Sequence, residues 1–307
     1  MNRKVFIFLT LLVVLYLAVN FATPPNPTIL LRYKMDAGQY QLMRASLAVP
    51  IILVWYAAFY GFSKLMGYAR SIKQSPDGEG FMWIAYGLAV LGIGLPVNSL
   101  IATALSRAVS GGMLTQPVST IISTHLSVGY QLASFFLIAL GAWKLLKTLK
   151  KAEFPKQSLV IGSVLLATIS VFYIVAAFNN PSREVAVPPA QTATYYMNDI
   201  LIFSTIVLPY IFAWVCGFFS FIAIKTYYRH VGGVLYKKAL KKLNTGLLII
   251  ISLSVFLQFA TAAITSIYAW LLGPLVIATQ LFVFVIGIGF IYVALGAKGL
   301  AKLEEVK

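Results

Sequence analysis

Eight apolar runs leave this chain very few folds to choose from. They lie at 5–22, 44–67, 81–106, 119–146, 158–178, 199–226, 243–267 and 274–297, and each is close to or longer than the ~20 residues that carry a helix across a bilayer. The runs are continuous and do not alternate in polarity, which disfavours a transmembrane barrel. Of the 307 residues, 60% are hydrophobic and 10% charged, against about 25% charged in a soluble domain. A chain with so little polar surface has to face lipid. The expected fold class is an all-α integral membrane protein with eight transmembrane helices.

The net charge of +16 raises the question of nucleic acid, and the positions of the charges answer it. With the N-terminus taken as cytoplasmic, nineteen of the 24 lysines and arginines fall in cytoplasmic segments. Only Arg32, Lys34, Arg44, Arg107 and Arg183 fall outside. This is the positive-inside distribution. It sets both termini in the cytoplasm and makes basicity a topology signal, so the expected partner is the lipid bilayer and not nucleic acid. The densest cluster, Lys237, Lys238, Lys241 and Lys242, is a candidate contact for anionic lipid head groups or an acidic protein partner.

The chain also resembles itself. At an offset of 159, Pro50 aligns with Pro209, Ile52 with Ile211, Trp55 with Trp214, and Phe59 with Phe218. Phe62 then meets Phe221, Tyr68 meets Tyr227, and Arg70 meets Arg229. Small gaps extend the match to Ala139–Ala142 on Ala294–Ala297, and to Tyr16 on Tyr173. The expected organisation is two tandem four-helix repeats, 1–152 and 153–307. An even helix number inserts both the same way up, in parallel orientation about an axis along the membrane normal. Residues 1–22 have the outline of a signal peptide, but Asn20-Phe21-Ala22 is a poor cleavage site and the fifth helix is their counterpart. They are expected to remain as a helix.

Four groups of residues are candidates for function. Pro50 and Pro209 fall inside the second and sixth spans, where a missing N–H and a ring clash kink a helix, so both are candidate hinges. Trp55 and Trp214 fall near mid-membrane, where an indole N–H needs an acceptor or a cavity. Neutral polar residues in the outer halves of the spans, Asn98, Ser99, His125, Gln258 and Gln280, form a candidate polar belt lining an outward-facing vestibule. Gln131, about one and a half turns from His125, is expected to belong to a different contact. The lysine cluster is the fourth group.

Residue supply excludes several chemistries. No Asp, Glu, Lys or Arg lies near mid-bilayer, so a carboxylate proton relay and a retinal Schiff base are out. His125 and His230 cannot form a bis-histidine haem site, and no His-Glu-x-x-His or phosphate loop occurs. No enzyme activity, metal or cofactor is expected. The leading expectation is a permease for a small neutral or zwitterionic solute, through a cavity between the repeats. The alternative is a structural or accessory subunit of a membrane complex without transport activity.

Overall fold

The computed structural model describes residues 3–22, 36–114, 116–149, 156–178, 203–267 and 272–305. Among these residues the chain forms eight long helices and no strand. They are α1 (Arg3–Ala22), α2 (Ala37–Ser71), α3 (Pro76–Ser110), α4 (Gln116–Lys147), α5 (Lys156–Phe178), α6 (Leu208–His230), α7 (Val234–Ile267) and α8 (Leu272–Glu305). Their ends carry ordinary stop and start chemistry. Asp36 opens α2 with a full capping box, its carboxylate accepting from the Gln39 backbone while the Gln39 side chain accepts from the Asp36 N–H. Pro76 occupies the first turn of α3, where its missing N–H costs nothing. Gly112 and Gly233 take positive φ, at 72° and 81°, after α3 and in the α6–α7 turn.

Five stretches among the described residues are long and apolar enough to cross a membrane: Ala48–Ser71, Pro76–Val109, Ile122–Lys147, Ser204–His230 and Phe284–Leu303. Shorter apolar stretches run over Phe6–Val19 in α1 and Leu159–Val171 in α5. Leu11 and Val160, both 63% exposed, are typical of the apolar side chains on the outside of the bundle. Such a surface is incompatible with water and suits lipid tails. The chain is an all-α, multi-pass membrane protein.

Helices α3 and α4 pair closely, as do α7 and α8. The two pairs are joined by α2 lying along α8 and α6 lying along α4. Helix α1 packs on α2 and α3, and α5 on α6 and α7. Without a hydrophobic drive between helices in lipid, such crossings depend on small residues that let backbones approach. A side chain on Gly87 would meet the Ser134 carbonyl and Ile138 of α4, and one on Gly246 would meet the Gly289 carbonyl and Val293 of α8. Gly141 rests on Gly80 and Ile84, while Gly296 rests on Ala239 and Leu243.

The two candidate hinges differ in the structure. Helix α2 runs unbroken through Pro50. Pro209 instead sits in the first turn of α6, directly after a π-helical turn over Phe203–Val207. The wider turn relieves the clash a proline ring makes with the carbonyl four residues back, here that of Thr205. Both prolines lie within long apolar helical stretches, Ala48–Ser71 and Ser204–His230, and of the two Pro209 alone follows a π turn.

Candidate functional site

A cavity of about 190 Å³ lies where α3 and α4 face α7 and α8. Helical register builds its walls. Leu91, Leu95 and Asn98 share one face of α3, and Ser127 and Gln131 stand one turn apart on α4. Ile250 and Ser254 on α7, and Ile286 and Phe290 on α8, do the same from the other side. Among the described residues the cavity is two-sided: Asn98, Ser127, Tyr130 and Gln131 make a polar wall, and Ile250, Ser254, Ile286 and Phe290 line the other side. Gly94 lets the Tyr130 ring lie flat on α3, since a Cβ there would collide with the ring.

The polar wall has spare acceptors. Tyr210 of α6 donates to Ser127 Oγ at 3.2 Å, and Gln131 Nε2 reaches the same oxygen at 3.4 Å. Gln131 is only 6% exposed, yet its Oε1 meets no donor among the described residues. Asn98 Oδ1 is buried and equally without a donor. A buried carbonyl oxygen left unpaired costs about 1–3 kcal/mol. Both residues line the cavity, and a carbonyl oxygen there can accept from N–H or O–H groups.

The belt expected from sequence divides here. Asn98 faces the cavity. Ser99, the next residue and about 100° round the helix, donates to Tyr16 of α1 at 3.5 Å. His125 is about 200° from Ser127 on α4 and pairs through Nε2 with Thr205 of the π turn at 3.1 Å. The backbones of Gln258 and Gln280 lie on α7 and α8, but their side chains fall outside the described residues. Gln131, assigned from sequence to another contact, is the deepest polar member of the cavity. Its signal was present in the one-turn spacing from Ser127, which groups the two on one face and leaves His125 off it.

The two central tryptophans have different surroundings. Trp55 is buried under α1, edge-on to Tyr16 at 6.0 Å between ring centroids, and its indole N–H meets no acceptor among the described residues. Trp214 stacks on Tyr210 and lines an apolar cleft of about 560 Å³ between α5, α6 and α7. Trp55 is instead packed in one buried cluster with Leu9, Val13 and Tyr16 of α1.

At the lysine-rich end, a contact invisible to sequence patterning ties the two halves of the chain together. Tyr227 of α6 donates to Asp77 Oδ2 at 2.6 Å, across 150 residues. With its proton committed there, Tyr227 accepts from Tyr236 at 3.2 Å. Burial, foremost, pushes the Tyr236 phenol up, with Tyr227 adding to it, so this hydroxyl stays neutral and able to donate. Tyr227→Phe is expected to leave Asp77 without its short donor and to destabilise the protein by about 1.5–3 kcal/mol. A shift in thermal melting of the purified variant checks this, and an unchanged melt excludes the contact as a tie.

No cluster of metal-binding side chains occurs among the described residues. The chain matches no protein-family model, no curated protein and no solved structure.

Proposed function

We propose that this protein is a permease for a small neutral or zwitterionic solute that donates hydrogen bonds, with no catalytic activity of its own. The observation that carries the proposal is the cavity between the halves with Asn98 Oδ1 and Gln131 Oε1 unpaired on one wall. Its size is instructive: a cavity of about 150 Å³ holds a benzene-sized molecule, so about 190 Å³ suits a solute of similar bulk. No charged residue lines the cavity among the described residues, which disfavours a bare ion. A proteoliposome uptake screen of small amides, polyols and amino acids tests the proposal, and no uptake of any of them would reject it. The subunit alternative draws on the apolar packing that surrounds the cavity, in which Trp214, Phe81 and Phe135 are fully buried.

The proposal includes eight spans arranged as a duplicated four-helix unit. Support comes from contacts that recur under the sequence alignment. Gly87 on Ile138 corresponds to Gly246 on Val293, and Gly141 on Ile84 corresponds to Gly296 on Leu243. Gly92 on Ala58, from α3 to α2, corresponds to Ile251 on Gly217. In the cavity Leu91 and its counterpart Ile250, and Leu95 and its counterpart Ser254, all belong to the lining. The cavity then sits on the axis relating the repeats, the usual place for a transport site.

Cross-linking tests the duplication. A Cβ on Gly61 would stand 3.7 Å from that of Ala294, within disulfide range. In a Cys216→Ser background, Gly61→Cys with Ala294→Cys is expected to cross-link on oxidation. The repeat-related pair, Ser220→Cys with Ala139→Cys, is expected to do so as well; failure of the second pair alone would reject equivalence of the halves.

Both termini are proposed to be cytoplasmic. In the same background, impermeant maleimide applied to intact cells is expected to label cysteines at Met113, Val185 and Gly273, and not at Ser75, Lys151 or Lys238. Labelling at Lys151 would invert the topology.

A further inference from the structure

We infer that the groove between the lysine-rich ends of α7 and α8 binds the phosphate head group of an anionic phospholipid. The groove encloses about 270 Å³. Its floor is made where Gly299 comes against Ala239, so that a Cβ on the glycine would stand 3.0 Å from the alanine methyl. That close approach sets Lys238 and Lys242, one turn apart on α7, across from Lys302 on α8. One turn or more deeper along α8 lies Leu295, 43% exposed, at the bilayer end of the same groove. A ring of ammonium groups above an exposed leucine matches a phosphate above an acyl chain.

The charges are free to do this. None of the three lysines has an ion-pair partner among the described residues. The sequence-related place in the first half shows the alternative. There Glu79 stands for Lys238, Trp83 for Lys242, Lys144 for Gly299 and Lys147 for Lys302. Glu79 pairs with Lys144 at 2.8 Å, and Lys147 lies over the Trp143 ring at 5.3 Å. The first half thus satisfies its cations internally, and the second half presents them outward. The structure also divides the four-lysine cluster. Lys238 and Lys242 line the groove, while Lys237 turns to the Arg229 carbonyl at the end of α6 and Lys241 is exposed elsewhere on α7.

This inference needs only the membrane setting and stands apart from the transport proposal. The test is native mass spectrometry of the detergent-purified protein titrated with dioleoyl phosphatidylglycerol and with dioleoyl phosphatidylcholine. The wild type is expected to retain one phosphatidylglycerol in preference to phosphatidylcholine. A juxtamembrane lysine contributes roughly fivefold to such binding, so Lys238→Gln, Lys242→Gln and Lys302→Gln together should weaken it about a hundredfold. Lys302→Gln alone should weaken it roughly fivefold. The control pair Lys237→Gln with Lys241→Gln should leave the preference intact. Three results would overturn the inference: wild-type binding by the triple variant, equal loss in the control pair, or displacement of the lipid by millimolar inorganic phosphate. The second would mean a diffuse field, and the third a site for a soluble anion.

Discussion

Gln131→Met is expected to cut uptake of the transported solute tenfold or more while making the protein more stable. Methionine matches glutamine in length and bulk, so the wall of the cavity keeps its shape. It removes a carbonyl oxygen that is buried without a donor, and loss of that penalty is worth about 1–3 kcal/mol. The weak contact from Nε2 to Ser127, at 3.4 Å, is a small loss by comparison. Asn98→Leu is expected to act in the same direction. The solute loses one carbonyl acceptor in each variant, and leaving a donor of a bound solute unpaired in a low-dielectric cavity costs at least tenfold in binding. Uptake rates in proteoliposomes and thermal melts of the same preparations measure the two halves of the prediction. A variant that loses uptake and stability together would mean that Gln131 is interhelical glue, and the subunit alternative would then take the permease's place.

The second large effect falls on the helix crossings. Gly246→Ala and Gly87→Ala are expected each to destabilise the bundle by about 1–3 kcal/mol, because the added methyl has no room. At Gly246 it would lie 2.5 Å from the Gly289 carbonyl oxygen and 2.6 Å from the Val293 nitrogen. At Gly87 it would lie 2.7 Å from the Ser134 carbonyl oxygen. These neighbours are backbone, so two helices must move apart. Gly67 and Gly129 are the controls: a Cβ there would meet nothing within 4 Å, and alanine should be neutral or stabilising by up to about 1 kcal/mol through better helix propensity. Thermal melts of the four variants check the contrast. If Gly246→Ala melts with the controls, the α7–α8 crossing is looser than described.

Similar effects at Gly87 and Gly246 would bear on the proposed duplication, since the two positions are related by the offset that aligns Trp55 with Trp214. The two positions also differ in their surroundings. Ser134 donates to the Gly87 carbonyl at 2.8 Å, a bond that Gly289 cannot supply at the corresponding place. Asn98 corresponds to Leu257 and Gln131 to Ile286, which concentrates polarity on one side of the cavity.

Much of the architecture was legible in the sequence because the solvent imposes it. Lipid offers the backbone no hydrogen bonds, so long apolar runs become helices, and eight runs correspond to the eight helices of the described chain. Recurrence of Pro, Trp, Tyr and Arg at one spacing is the sequence basis of the proposed duplication. The candidate site was legible only in part. Polarity and depth along the chain put Asn98, Ser99 and His125 at one level of the membrane. Depth says nothing of azimuth, and a step of about 100° per residue sends Ser99 to Tyr16 and His125 to Thr205 while Asn98 turns to the cavity. Gln131 is about one and a half turns from His125 but one turn from Ser127, and it shares the cavity wall with Ser127. The π turn before Pro209, the Asp77–Tyr227 bond and the division of the lysine cluster depend on which helices become neighbours. Local sequence encodes each helix and its faces, whereas the pairing of faces across more than a hundred residues arises only when the bundle closes.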